Sequence, residues 1–138
     1  MHGRVDREFR HPSEALALQY LEAREHTLLR HNYHLRFVEI DLITVTRDAC
    51  VRFTEVKSWR DASMLHPLET MTGKRRSDLR RAAGTFLHEL SRDRQTLALL
   101  RKGVRDEEHC FDPDSATVSF DLLWLRAADD VEYFENLF

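Results

Sequence analysis

The apolar positions of this chain change period several times, and each change predicts an element. In HPSEALALQYLEAREH, Ala17, Leu18 and Leu21 recur at helical spacing and Pro12 suits a first turn, which predicts a helix. TLLRHNYHLRF alternates imperfectly and predicts a first strand. VEIDLITVT and CVRFTEVKSW, rich in β-branched and aromatic residues, predict the two best strands, joined by a short turn at Arg47-Asp48-Ala49. A polar loop follows from Trp59 to Pro67. LETMTGKRRSDLRRAAGTFLHELSR then predicts a long helix carrying Leu79, Ala83, Phe86 and Leu90 on one face, and RQTLALLRKG a second helical piece that stops near Gly103. VRDEEHCFDPDSA is acidic and turn-rich and predicts a loop. VSFDLLWL reads as a buried strand, and VEYFENLF as a short closing strand or helical turn. The order α-β-β-β-α-(α)-β predicts an α/β fold, a mixed sheet flanked by helices. No repeat, low-complexity run or linker divides it, so residues 1–138 are read as a single domain.

Charges interrupt this pattern where it is most apolar. Asp41, Glu55 and Lys57 stand within strands that otherwise read as buried, and a buried charge is costly unless it is paired, hydrogen-bonded or holding a metal. Glu55 and Lys57 are two apart and must share a face. With Arg47-Asp48-Ala49 as the loop of a regular hairpin, Val45 opposes Val51, Ile43 opposes Phe53, Asp41 opposes Glu55 and Glu39 opposes Lys57. Opposed side chains lie roughly 4.5–5.5 Å apart at Cβ. Two carboxylates that close repel, raise a pKa or bind a cation between them, and their hard oxygens suit Mg²⁺ or Mn²⁺. Glu14 adds a further acid on the helical face of Ala17, Leu18 and Leu21, where its plainer role is to complement the helix dipole. The plainer account of the hairpin is a set of satisfied ion pairs, Glu39 or Glu55 with Lys57 and Asp41 with an arginine.

Composition narrows the function classes. Of 138 residues, 42% are apolar, enough for one core, and 21 basic against 24 acidic residues give a net charge of −3. That balance argues against a strong non-specific nucleic-acid binder, so any such affinity must come from a local patch. Lys74, Arg75, Arg76, Arg80 and Arg81 supply a candidate patch at the start of the long helix; the alternative is a solvated face with a Lys74–Asp78 pair. His31 and His34 fall on opposite faces of a strand, and the run from Asp106 to Cys110 lacks metal-ligand spacing. Cys50 and Cys110 are expected as free thiols in a cytoplasmic protein. No membrane-spanning run or secretory signal is expected.

The pieces EALALQYL, LLRHN, EIDLI, TEVKSW, Pro67-Leu68-Glu69 with Lys74, RRAAGTFL and SFDLLWL occur in one order that covers most of the chain. In this the sequence resembles the YraN family of bacterial proteins, within the PD-(D/E)XK restriction-endonuclease-like superfamily, and more distantly archaeal Holliday junction resolvases. The resemblance implies a restriction-endonuclease-like core with Asp41 and Glu55 as metal ligands and Lys57 beside the attacked phosphate. Glu14 matches the acid of the family's first helix, which helps complete the metal site in the resolvase relatives. Val38 stands where the family has a glycine before E-I-D, and Trp59 where it has an arginine after the motif lysine. The hairpin is one residue longer than the family pattern, so a bulge is the alternative to the regular register. The expected function is metal-dependent nuclease-like hydrolysis of phosphodiesters in DNA, branched DNA included, or RNA, with DNA ahead of RNA, Mg²⁺ or Mn²⁺ as cofactor and a homodimer as in resolvase-like relatives. The alternative is a non-catalytic nucleic-acid-binding or protein-interaction module that retains the fold.

Overall fold

Helix α1 (Pro12–Ala23) begins as its sequence predicts, with Pro12 in the first turn and Ala17, Leu18 and Leu21 buried. The computed structural model describes residues 9, 11–58, 66–103, 112–127 and 129–138, the side chains of 101–103 excepted. Residues 59–65 of the loop expected from Trp59 to Pro67, and most of the acidic segment, including 106–110, lie outside the described residues.

Three strands follow: β1 (Thr27–Leu35), β2 (Val38–Val45) and β3 (Cys50–Ser58). After a short 3₁₀ turn at Pro67–Thr70 come α2 (Gly73–Ser91) and α3 (Arg94–Gly103), then β4 (Thr117–Ala127) and β5 (Asp130–Phe134). The five strands lie side by side in chain order. Every pairing is antiparallel except β3 with β4, whose parallel alignment uses the two helices between them as the crossover. The mixed sheet flanked by helices is the predicted fold class, and the closing element is a strand.

Helices cover both faces. Ala17, Leu18 and Leu21 of α1 pack with Leu42, Leu123 and Leu125 on one face. On the other, Leu79, Ala83, Phe86 and Leu90 of α2 and Leu97 and Leu100 of α3 pack with Ile43, Val45, Val51 and Phe53. Two predicted boundaries move. The long helix does not begin at Leu68: His66 and Glu69 form a reciprocal cap on the 3₁₀ turn, and α2 starts at Gly73, where the Thr72 hydroxyl accepts the Arg75 N–H at 3.2 Å. The first strand stops at Leu35, because Leu35 already pairs with Val38, and Phe37 sits fully exposed in the hairpin tip.

Candidate functional site

The β2–β3 hairpin closes as its sequence predicts. Ala49 N–H donates to the Thr46 carbonyl at 3.0 Å and Ala49 takes a left-handed φ of 63°, the usual build of a three-residue loop. Val45 opposes Val51 and Ile43 opposes Phe53, but paired positions end at Leu42–Thr54. The expected direct opposition of Asp41 with Glu55 and of Glu39 with Lys57 is not formed. Beyond Thr54, Glu55 to Ser58 keep only their pairing with Leu122 to Leu125 of β4, on the other edge of β3.

The reason lies in β2. Leu42 belongs to the α1-side cluster, whereas Ile40 and Ile43 belong to the α2-side cluster. Residues two apart in a regular strand share a face, so the strand turns over at Asp41. Across from it on β1, Asn32 has φ 49° between His31 and Tyr33, which pair with Leu42 and Ile40. Asp41 leaves the regular ladder, and its Oδ2 accepts the Val56 N–H at 2.8 Å. A carboxylate thereby stands in for a backbone carbonyl where the two strands part.

A cavity of about 410 Å³ opens at this parting, lined by Glu14, Glu39, Asp41, Glu55, Lys57 and Arg75 together with His11 to Ser13. All four acids and cations singled out on the helix and hairpin, Glu14, Asp41, Glu55 and Lys57, therefore meet in one place. Glu14 comes from the first turn of α1 and is buried. Glu55 Oε1 lies 3.5 Å from Lys57 Nζ and accepts from Arg75 Nη2 at 3.2 Å, and the same Arg75 nitrogen donates to the Glu39 carbonyl at 3.2 Å. Glu55 Oε2 is buried with no hydrogen-bond partner among the described residues. The Asp41 carboxyl is pushed up to about 7: burial is the main cause, the Val56 N–H opposes it, and the charges of Glu55, Glu14 and Glu39 add to it.

This arrangement is chemically uneven. Both cations sit on one oxygen of Glu55, while its second oxygen and a reluctantly ionised Asp41 face the same space. Among the described residues no set of three His, Cys, Asp or Glu side chains closes into a metal cage. Mg²⁺ does not require one, since it commonly takes one or two carboxylates and completes its shell with water and phosphate oxygens. The buried Oε2 and the crowding at Asp41 fit a hard divalent cation.

The basic residues of α2 divide. Arg75 precedes Leu79 by four positions and Ala82 by seven, which puts it on the core-facing side of the helix at the cavity wall. Arg76 and Arg80 lie over the Phe138 ring, 5.3 and 4.8 Å from its centre, and only Lys74 and Arg81 of the five are exposed without such a contact among the described residues. His31 packs against Phe9 with the rings tilted at 45°, and His34 lies 3.7 Å from Glu39.

A second buried polar group escapes sequence reasoning. Asp121 accepts from Arg52 Nη1 at 3.0 Å, from the Ser119 hydroxyl at 2.6 Å, from the Asn136 N–H at 3.0 Å and from the Tyr133 hydroxyl. Its partners come from β3, from β4 itself and from β5 with Asn136 just after it, so no local spacing announces it. Fully satisfied and buried, it ties the sheet together.

Comparison with known sequences finds relatives that match along most of the chain. A chlorobial protein from Chlorobium phaeobacteroides (strain DSM 266), described as a UPF0102 protein, is 31% identical over 113 residues, covering 78% of this chain and 88% of its own length. A UPF0102 protein of Leptospira interrogans is 30% identical over 98 residues, 70% of this chain and 84% of its own. The family model described as uncharacterised protein family UPF0102 matches residues 13–123, from the first turn of α1 that carries Glu14 to the middle of β4. With that span covering the cavity's acids and the lysine, and with relatives this similar along most of their length, the chain belongs to the uncharacterised protein family UPF0102.

Proposed function

We propose that this protein is a metal-dependent nuclease-like hydrolase of phosphodiesters in nucleic acid, DNA ahead of RNA and branched DNA included. The observation that carries the reading is the convergence of Glu14, Asp41, Glu55 and Lys57 on one cavity, with Glu55 Oε2 buried and unsatisfied among the described residues. Asp41 and Glu55 would hold Mg²⁺ or Mn²⁺, with Glu14 behind them. Such an ion supplies Lewis acidity toward the phosphate and a water of lowered pKa.

The chain's own residues do the rest. Lys57, with a partly exposed ammonium, neutralises charge that develops on the phosphate oxygens. Arg75 positions Glu55 through its hydrogen bond to Oε1. Among the described residues no helix is long and apolar enough to cross a membrane. The reading adds a cytoplasmic setting and a homodimeric working unit. The alternative, a non-catalytic nucleic-acid-binding or protein-interaction module, is favoured by one observation: the ion pairs of Lys57 and Arg75 already partner Glu55 Oε1.

The deciding experiment incubates labelled linear, single-stranded and four-way-junction DNA with the protein and Mg²⁺ or Mn²⁺. Cleavage should be lost in Asp41→Asn and Glu55→Gln together with metal affinity measured by calorimetry. Lys57→Ala should keep metal affinity and lose about 10²–10³ in rate. Metal binding without cleavage of any substrate would leave the non-catalytic module; absence of both would remove the metal site as well.

A further inference from the structure

Two strands lead from the cavity to the tip of the β1–β2 hairpin, and that tip is oddly built. Leu35 pairs with Val38, so Arg36 and Phe37 form the whole loop. Two-residue hairpin loops favour Asn-Gly, Asp-Gly or Gly-X because one or both positions need a left-handed φ. Here Arg36 takes that conformation, at φ 55°. Phe37 beside it is fully exposed, in contrast to the other phenylalanines of the described sheet and helices, which pack into or against the core. Turn chemistry would choose another residue at Arg36, and burial another at Phe37.

Location gives the pair a use. Glu39, which lines the cavity, lies two residues from Phe37 along the strand, about 6.6 Å at the usual rise. That is about two stacked base steps of a nucleic-acid strand. Arg75 binds the Glu39 carbonyl at 3.2 Å, and Arg36 in the loop is exposed beside Phe37. An exposed aromatic ring next to an arginine, a short way from a polar cavity of about 410 Å³, has the make-up of a base-stacking platform: the charge tracks the backbone and the ring takes a base face.

We infer that Phe37, with Arg36, is a stacking site for an unpaired nucleobase next to the scissile position. The inference rests on the nuclease-like reading and deepens it, since it assigns the substrate class: DNA with an accessible base face, as in single strands and at branch points. A base stacked inside an intact duplex offers no free face to the ring, so blunt duplex gains nothing from it.

The test measures binding of the full-length protein to fluorescein-labelled single-stranded, four-way-junction and blunt-duplex DNA by anisotropy, with chelator present so that no cleavage intervenes. Phe37→Ala should bind single strand and junction about 5- to 150-fold more weakly while duplex affinity and melting temperature stay unchanged. Phe37→Trp should retain wild-type affinity, with its indole emission quenched on binding single strand. Unchanged affinity of Phe37→Ala for all three DNAs overturns the inference, as does an equal loss on all three. Conversion of a wild-type dimer to a monomer by Phe37→Ala, seen by light scattering, also overturns it, in favour of a protein contact. A wild-type protein that binds none of the DNAs overturns both this inference and the nuclease-like reading. Intact stacking with no metal binding would instead overturn only the catalytic reading.

Discussion

Asp41 shows how one residue can be legible in type and illegible in geometry. Its charge stands out on an apolar strand, yet the Val56 N–H that it binds lies across a gap that no pairing rule predicts. Its pKa, raised to about 7, sets a sign for stability. The folded state holds a proton between the unfolded value near 3.8 and the folded value near 7, where the unfolded chain has lost it. Stability from this group is therefore greatest below that window and falls as pH rises through it. Asp41→Asn, which mimics the protonated form and can still accept from Val56, should stabilise the metal-free protein by roughly 1–3 kcal/mol near pH 8, a figure discounted for partial exposure. Near pH 4 it should change little. Denaturant titrations at the two pH values check this; a destabilised Asp41→Asn at pH 8 would mark Asp41 as half of an ion pair instead. Phe37 is the converse case, since its apolar character reads as strand or core and only the early end of β1 exposes it.

Among the elements, the β2–β3 hairpin and α2 divide between what periodicity encodes and what it does not. The turn at Arg47-Asp48-Ala49 and the pairs Val45–Val51 and Ile43–Phe53 follow from loop length and alternation. The parting of the strands after Leu42–Thr54 goes with the reversal of β2 at Asp41, across from the left-handed Asn32 of β1 and out of reach of the hairpin turn. In α2 the periodicity shows a core face, but it does not say that five clustered cations do different work. If the helix contacts phosphates, Lys74→Gln and Arg81→Gln should each flatten the log–log salt dependence of DNA binding by a little under one unit and leave the melting temperature alone. Arg75→Gln should instead destabilise by about 1–3 kcal/mol, because it withdraws a charged donor from Glu55 and from the Glu39 carbonyl. Unfolding curves read beside the salt series separate the two roles, and a stability-neutral Arg75→Gln would return it to the solvated face.

Over the whole molecule, one sheet serves two cores. Leu42 packs toward α1 and Phe86 packs from α2 against the opposite face, yet the same strands carry both clusters. Leu42→Ala and Phe86→Ala should each cost about 2–5 kcal/mol and shift one shared transition. Calorimetry that resolved two transitions, one per face, would contradict this coupling. The buried Arg52–Asp121 group adds a second tie, and Asp121→Ala should cost about 3–5 kcal/mol, since Arg52 would be left buried without its carboxylate. Most of the element order, the helix faces, the hairpin turn and the residue types of the candidate site were determined by the sequence alone, because period, capping and turn chemistry act over a few neighbouring residues. Tertiary structure alone decided that β2 turns over at Asp41, that Arg75 leaves the basic cluster for Glu55, that Asp121 gathers donors from three segments and that Phe37 stands in solvent. The first three depend on which distant groups share a small buried volume, where desolvation presses a charge toward a partner or a proton, and the last on where the β1–β2 hairpin turns.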